Sequence, residues 1–363
     1  MYDYYFSRAY GYGSFALHGS FLTFQIELDT YCMSEKIFKI LSIDGGGIKG
    51  LYSSKIIEHF EEEYKSRISD HFDMICGTST GGLLALALSL KIPASEISSL
   101  YVTKGKLIFP NQHKWWAILK QMALSGKYSD HALKEALVQI FGTKRIGDSN
   151  NLLCIPSYSL TDARPFIFKY DHKEGGLTRD NKAFYVDVAL ATSAAPTYFP
   201  LAEIEYYNNK QFVDGGIWAN NPSLVGFIEA LTYFVGENKE FDEVKMLSVS
   251  SLTSTSGRKT GLNRHRSFRH WRNDLFDSMM TGQAKFNEYF MSKIDEINSI
   301  PVKHIRVPSE VLSPEQQSIV HLDKATTASL DLLQGKGNDM GIVWRKKDEI
   351  KQFFREQKLY KLK

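Results

Sequence analysis

The sequence predicts an α/β protein with a mostly parallel central sheet, covered by helices on both faces and followed by a helical C-terminal region. Two units of strand, turn and helix come first: apolar runs at 37–43 and 72–76 each end in a glycine-rich turn and lead into a helical pattern. Later apolar runs continue to alternate with helical segments as far as residue 307. Strands that alternate with helices favour a parallel sheet with both faces buried.

The helices and strands can be assigned in chain order from periodicity and capping residues. Apolar residues at helical spacing follow the first turn from Leu51 to Tyr64, and a helix of small residues, Leu83 to Leu90, follows the second. Pro93 predicts a helix start, because proline fits the first helical position, and Ser129 predicts the N-cap of a helix over 132–141. The remaining strands are predicted at 152–158, 166–170, 211–213, 245–250 and 303–307. The remaining helices are predicted at 185–192, 222–235 and 268–297.

The length of 363 residues is enough for a large α/β domain with additional segments. Hydrophobic residues make up 43% and charged residues 23%, a mixture that predicts a folded globular chain. Residues 1–35 are assigned to an N-terminal extension, although an alternating fragment at 21–26 would also suit an edge strand. Residues 36–255 form the predicted α/β domain, and residues 256–363 a helical region with a candidate regulatory role; the polar stretch 251–261 is the candidate linker.

Charge, hydropathy and cysteine content exclude several functional classes. The net charge of +3 does not predict binding to a nucleic acid polymer. The most continuous apolar stretch, Leu83 to Leu90, is too short to span a bilayer. Three cysteines cannot close a disulfide framework and no signal-peptide pattern is found, so a reducing cytoplasm is expected. None of the ten histidines shows a paired metal spacing, and neither a metal nor a cofactor is predicted.

The strongest local pattern is Gly77-x-Ser79-x-Gly81, which lies between a short apolar strand and a helix. In such a turn the glycines relieve crowding, and the serine oxygen is exposed beside helix N–H groups that can stabilise an oxyanion. Ser79 is therefore the candidate nucleophile. A glycine-serine turn without chemistry is the alternative that the five-residue pattern alone leaves open.

A second glycine-rich turn, Gly45-x-Gly47-x-x-Gly50, also follows a strand and opens a helix. A dinucleotide-binding fingerprint would require an acidic residue at the end of the second strand, but that strand ends in Cys76-Gly77. Consecutive glycines can instead present backbone N–H groups to an oxyanion. We expect Gly46 and Gly47 to be the donors of an oxyanion hole, in a turn that Gly45 and Gly50 complete.

The third pattern is Asp214-Gly215-Gly216, which places an acid at the end of a predicted strand. An aspartate desolvated there can take the proton of Ser79 directly. A plain Asp-Gly turn is one alternative. A Ser-Asp-His triad is another, because several histidines follow Asp214 in the chain order of such hydrolases. These histidines are His265, His270, His304 and His321.

Together these patterns resemble the patatin-like phospholipase family. The matching segments are Asp44 to Gly50, Gly77 to Gly82, Asp214 to Gly216 and the run Ala191-Thr192-Ser193-Ala194-Ala195-Pro196-Thr197-Tyr198-Phe199-Pro200. The resemblance covers roughly Lys36 to Ser250, and it implies a three-layer α/β/α fold with a Ser79–Asp214 dyad. It also implies metal-independent hydrolysis of glycerolipid acyl esters, of phospholipase A type. Members often have alanine where this chain has Gly216, a common variation that weakens the match little.

A softer similarity, through Leu247 to Leu275, is to bacterial patatin effectors of anti-phage defence, which a cyclic dinucleotide activates to degrade membrane phospholipid. A run of six basic residues without an acid lies between Gly257 and Asn273 and would attract phosphate. A solvated surface is the alternative interpretation. A nucleotide-binding receptor with weak esterase activity remains the alternative function. The candidate anion-binding residues are Arg264, Arg266, Arg269 and Arg272.

The expected partners follow from these interpretations. A lipid hydrolase needs a surface that can lie at a bilayer interface, and the Trp-rich segment 107–122 is a candidate for it, with a helix packed on the core as the alternative. We therefore expect a cytoplasmic protein with peripheral association to the inner face of the membrane, and leave a homo-oligomer open.

Overall fold

The computed structural model describes residues 36–108, 129–252, 261, 264–265, 267–297 and 300–362, without the side chains of 268–270 and 272–274. The predicted extension 1–35, most of the Trp-rich segment and Arg266 lie outside the described residues.

The strands of the described residues are β1 (Ile37–Ile43), β2 (Met74–Gly77), β3 (Leu152–Ser159), β4 (Arg164–Lys169), β5 (Ala202–Ile204), β6 (Lys210–Asp214), β7 (Glu243–Val249) and β8 (Val302–Val307). They form one mixed sheet, in the order β5-β6-β3-β2-β1-β7-β8, with β4 also paired to β3. Pairing is parallel between β3 and β2, β2 and β1, β1 and β7, and β7 and β8. Strands β4, β5 and β6 join the sheet by antiparallel pairing. The predicted mostly parallel sheet is thus confirmed.

Helices cover both faces of this sheet. The described helices are α1 (Gly50–Tyr64), α2 (Thr80–Ser89), α3 (Ala94–Ile108), α4 (His131–Phe141), α5 (Tyr185–Ser193), α6 (Gly216–Ala219), α7 (Ser223–Tyr233), α8 (Phe268–Asp295), α9 (Pro314–Ile319), α10 (Thr327–Trp344) and α11 (Asp348–Phe354).

Crossover handedness explains the three layers. The chain passes from β1 to β2 to β3 in one direction across the sheet, and from β7 to β8 in the other. Right-handed crossovers therefore place α1 and α2 on one face and α8 on the opposite face, where α7 packs beside α8. Helix α10 packs on α1 and so extends the first layer, while α7 packs on β1, β2 and β7. The predicted three-layer α/β/α arrangement is confirmed.

The described part of 256–363 adds β8 to the central sheet and α10 to a helical layer. The described residues all belong to a unit that runs from Glu35 to Lys363. The division at residue 255 stays a prediction.

Some local predictions were wrong. Helix α2 begins at Thr80 rather than at residue 83, because Gly81 packs closely against the end of β1 and Gly82 against the end of β2, and both are helical despite their low propensity. Asp130, not Ser129, is the N-cap of α4; the Ser129 hydroxyl instead accepts the N–H of His131 at 3.2 Å. The three-residue strand β5 was not predicted, since it is too short for an alternating pattern.

Strand β3 brings the Ser79 turn and Asp214 together. The first residues of β3 pair with β2, in the register Cys76↔Cys154. Its last residues pair with β6, in the register Ser157↔Asp214. Since β4 occupies the other edge of β3, β2 and β6 share one edge, end to end. Asp214 consequently lies just beyond the carboxyl end of β2.

A buried ion pair fixes the turn after β1. Arg306 on β8 forms a bidentate ion pair with the Asp44 carboxylate: Nη1 donates to Oδ1 at 3.2 Å, and Nη2 donates to Oδ2 at 2.5 Å. Burial raises the pKa of Asp44, and the Arg306 guanidinium opposes that shift. The carboxylate is only 1% exposed, so it depends on this partner for its charge.

Removing Arg306 should therefore destabilise the fold. The change Arg306→Met leaves a buried carboxylate unpaired, which costs about 3–5 kcal/mol, and the double change Asp44→Asn with Arg306→Met should recover most of that loss. Denaturant unfolding measures both. Lys293→Met, which breaks an exposed pair with Glu296, is the control and should leave the unfolding midpoint unchanged. Equal midpoints for Arg306→Met and the control would contradict this account.

Candidate active site

Ser79 occupies a sharp turn between β2 and α2. Its backbone adopts φ 54° and ψ −125°, a region that non-glycine residues rarely enter. The turn closes only because its glycines lack side chains: a Cβ added at Gly77 would collide with the carbonyl of Gly81, and one at Gly81 with the carbonyl of Ile43. The strained conformation directs the serine away from the strand, as in a nucleophile elbow.

The Ser79 hydroxyl donates a hydrogen bond to Asp214 Oδ2 at 2.6 Å. The other carboxylate oxygen accepts the N–H of Gly216 at 2.7 Å, and the Asp214 N–H donates to Ala194 O at 3.0 Å. Gly215 passes against β3 where a Cβ would collide with the carbonyl of Pro156. These contacts hold the carboxylate in one orientation toward the serine.

Burial sets the proton affinity of Asp214. The side chain is 1% exposed, and desolvation raises its pKa to about 7, against the opposing effects of the hydrogen bonds from Ser79 and Gly216. Such a carboxyl group exchanges a proton near neutral pH, which an ordinary surface aspartate does not.

Thr192 is a supporting residue for which the sequence predicted no separate role. Its hydroxyl oxygen accepts the Ser79 N–H at 3.0 Å and donates to Pro156 O at 2.6 Å. Thr192 thereby ties the serine turn to β3. The available clue was its place inside the matched segment 191–200.

The turn that contains Gly45, Gly46 and Gly47 lies beside Ser79. The Gly45 N–H donates to Asn220 O at 2.9 Å, and the Gly46 N–H donates to Thr80 Oγ1 at 3.2 Å. Gly47, at φ +59°, belongs to the wall of the cavity around Ser79. The amides of Gly45 and Gly46 thus both have partners within the fold, and Gly47 lines the cavity together with Ser79 and Thr80.

The C-terminal part of the chain also contacts this turn. The Ile48 N–H donates to Leu322 O at 2.9 Å, and a Cβ at Gly47 would collide with that same carbonyl. At Gly50, a Cβ would crowd the Tyr101 hydroxyl. Gly47→Ala would therefore displace the segment around Leu322, and would alter packing as well as any backbone donor.

Ser79 and Asp214 line a largely apolar cavity that opens to the surface. Helices α2, α3, α4 and α8 supply most of its wall. Such a lining suits a hydrocarbon chain, because burial of methylene groups is favourable without any polar contact. Its apolar side chains include Leu83, Ile97, Leu100, Leu137, Phe276 and Met280.

Among the described residues, no histidine lines this cavity. His304 lies on β8, three strand spacings or about 14 Å from β2. Its Nε2 contacts Ser248 Oγ at 2.8 Å, and burial lowers its pKa to about 4. His265 and His321 are exposed, and the side chain of His270 lies outside the described residues. Ser79 contacts Asp214 without an intervening imidazole.

The candidate anion-binding arginines are only partly described. Arg264 is exposed, Arg266 is not described, and Arg269 and Arg272 lie on α8 with side chains outside the described residues. Within the described part of the chain, no cluster of three or more metal-ligating side chains occurs. No described helix is long and apolar enough to cross a bilayer.

Comparisons with known proteins show the family of this chain. The family model for patatin-like phospholipase matches residues 41–225. A cGAMP-activated phospholipase of Pseudomonas aeruginosa is 30% identical over 301 residues, covering 83% of this chain and 87% of that protein. A cGAMP-activated phospholipase of Escherichia coli is 29% identical, covering 90% and 95%. Patatin-like protein 2 of Arabidopsis thaliana is 28% identical, covering 83% and 82%. The chain belongs to the patatin-like phospholipase family of serine lipid acyl hydrolases.

Proposed function

We propose that the chain cleaves acyl esters of glycerophospholipids with Ser79 as nucleophile and Asp214 as its general base. The observation that carries this proposal is the 2.6 Å hydrogen bond from Ser79 Oγ to Asp214 Oδ2 at the wall of an apolar cavity. The raised pKa of Asp214 supports it, because a base with a pKa near 7 is matched to proton transfer at neutral pH.

In the acylation step, Ser79 Oγ attacks the ester carbonyl carbon while its proton passes to Asp214. The carbonyl oxygen becomes an oxyanion, which the N–H groups of Gly46 and Gly47 stabilise together with the first turn of α2. The intermediate then collapses: the bond to the glycerol oxygen breaks, and Asp214 returns the proton to that leaving group. An acyl-Ser79 ester and a lysolipid result.

In the deacylation step, water attacks the acyl-Ser79 carbonyl and gives a proton to Asp214. The same oxyanion forms again, and its collapse breaks the bond to Ser79 Oγ, which recovers the proton from Asp214. A free fatty acid leaves. Since one carboxyl group serves as base and acid in both steps, its pKa must permit both directions of transfer.

The dyad can be tested by single changes. Ser79→Ala and Asp214→Asn should each lower fatty-acid release by at least about a thousandfold, because nucleophile and base act as one unit. The amide of the Asp214→Asn variant retains the shape of the carboxylate, so the thermal midpoint should not fall. His321→Ala is the control against a triad and should retain activity. Complete loss in that folded variant, or turnover near normal in Asp214→Asn, would refute the dyad.

The pKa of Asp214 predicts the pH dependence. The carboxyl group must be ionised to accept the Ser79 proton, so kcat/KM on a soluble short-chain ester should fall about tenfold per pH unit below about 7, and level off above it. A stopped assay across the neutral range measures this. A profile that stays flat down to about pH 5 would mean that a group with an ordinary carboxyl pKa, rather than Asp214, limits the reaction.

We further propose that a cyclic dinucleotide activates this enzyme, which then degrades membrane phospholipid in anti-phage defence. The support is the description of the Pseudomonas and Escherichia relatives as cGAMP-activated, together with the basic run that ends on α8. In this proposal the protein is cytoplasmic and binds the inner membrane face peripherally. Residues 256–363 carry the regulatory role, and size-exclusion chromatography with light scattering would measure whether the protein assembles into a homo-oligomer.

The basic run can be tested with cGAMP as the probe and a soluble short-chain ester that needs no bilayer. The double change Arg264→Ala with Arg269→Ala should shift the activation curve at least about tenfold to higher cGAMP, because charge-assisted contacts to phosphate are lost. Arg164→Ala with Arg355→Ala, both exposed elsewhere, is the charge-matched control and should not shift it.

Two results would contradict this regulatory proposal. An unchanged curve in the run variant would remove these arginines from the activator site. Activity of the unchanged protein that does not respond to cGAMP would remove cGAMP as the activator. If cGAMP binds while phospholipid vesicles release no fatty acid, the protein is a nucleotide receptor with incidental esterase activity.

A further inference from the structure

The backbone of the glycine turn is held by residues from the C-terminal third of the chain. The Ser251 hydroxyl donates to Gly45 O at 2.7 Å, and Ser251 is 1% exposed. The Ile48 N–H is bonded to Leu322 O, and the Gly46 carbonyl accepts the N–H of Lys49 at 3.1 Å. Each of these bonds fixes a different peptide plane of the turn.

The bond from Ser251 acts on the plane that contains the Gly46 amide. A trans peptide places its N–H opposite its C=O within one plane, so a donor that fixes Gly45 O also fixes the direction of the Gly46 N–H. That N–H points to Thr80 Oγ1, at a rather long 3.2 Å. Thr80 follows Ser79 directly and lines the same cavity.

We propose that Ser251 is a positioning residue, whose hydroxyl orients the Gly45–Gly46 peptide so that its N–H can stabilise the oxyanion formed at Ser79. The proposal rests on the proposed function, in which Gly46 is an oxyanion donor. Ser251 itself touches neither the substrate nor Ser79. Ser251 lies seven residues before Arg258, the first residue of the basic run. A short length of chain therefore joins the basic run to the residue that orients the oxyanion hole, and not to the dyad.

The change Ser251→Ala removes the side-chain hydroxyl with little change in the shape of the side chain. In Ser251→Ala, the Gly45–Gly46 peptide loses its fixed orientation, so kcat should fall roughly tenfold to a hundredfold while KM changes little. This fall in kcat is smaller than the one expected when an oxyanion donor itself is removed. The matched control is Ser53→Ala. Ser53 is also buried, and its hydroxyl donates to the neighbouring Ser250 O at 3.1 Å rather than to the glycine turn. It should lose stability without this loss of kcat.

A pair of inhibitors separates positioning from general structural damage. A long-chain trifluoromethyl ketone accepts Ser79 Oγ at its carbonyl carbon; the serine proton passes to Asp214 and an oxyanion results, whereas the corresponding methyl ketone binds without forming the adduct. In Ser251→Ala the inhibition constant of the trifluoromethyl ketone should rise by the same factor as kcat/KM falls, with that of the methyl ketone unchanged. In Ser53→Ala both constants should be unchanged.

Several results would overturn the proposal. It fails if Ser251→Ala binds the trifluoromethyl ketone as the unchanged protein does, or if both ketones weaken together. Should Ser251→Ala not fold, Ser251→Cys keeps the size and a weak donor, and the same two constants decide. Failure of the proposed function has a different signature: the unchanged protein would then bind the two ketones equally.

Discussion

The site depends on one constraint, the sharing of a single edge of β3 by two other strands. Strand β2 pairs with the start of that edge and β6 with its end. Because β2 runs parallel to β3 and β6 runs antiparallel, both chains deliver their last residue to the same place. The Ser79 turn follows one and Asp214 ends the other, so their 2.6 Å contact is a consequence of strand pairing. The side chains need no long-range flexibility to meet.

This arrangement gives the protein a carboxyl group that the fold disfavours in its charged form. The folded-state pKa of Asp214 is about 7, above the usual 3.8, so the group favours the folded state at pH values below about 4. That contribution is lost as the pH rises through about 7, and a shift of this size corresponds to about 4 kcal/mol. The enzyme is thus less stable at the pH where its base is ionised. The hydrogen bonds from Ser79 and Gly216 limit that cost.

The sequence predicted those parts of the site that depend on local backbone chemistry. Ser79 between two glycines, after an apolar run, is recognisable because so few residue types fit such a turn. Asp214 was predicted as a base for Ser79 from its strand-end position and the need of a serine for a base, and the resemblance implied the same dyad. The strand register that brings the two residues together was not predicted. Arg306 and Ser251 could not be predicted. Each contacts the turn after β1 from a distant part of the chain, and nothing in a single sequence specifies that β7 pairs with β1 and β8 with β7. The failure at Ser129 is of another kind, a choice between adjacent capping residues of similar propensity.

The two functional parts of the site have different sources in the chain. The dyad is assembled by residues between Met74 and Gly216, all of which come from β2, β3, β6 and the segments next to them. The glycine turn follows β1, but its orientation is held from Ser251, Arg306 and Leu322. A movement of the segments around Ser251 and Leu322 would therefore alter the glycine turn, whereas other elements form the 2.6 Å contact between Ser79 and Asp214. A change in transition-state stabilisation alters kcat while the nucleophile and its base keep their positions. In the regulatory proposal, residues 256–363 act on the glycine turn, so the contact between Ser79 and Asp214 can stay assembled in the resting enzyme while its activity is switched.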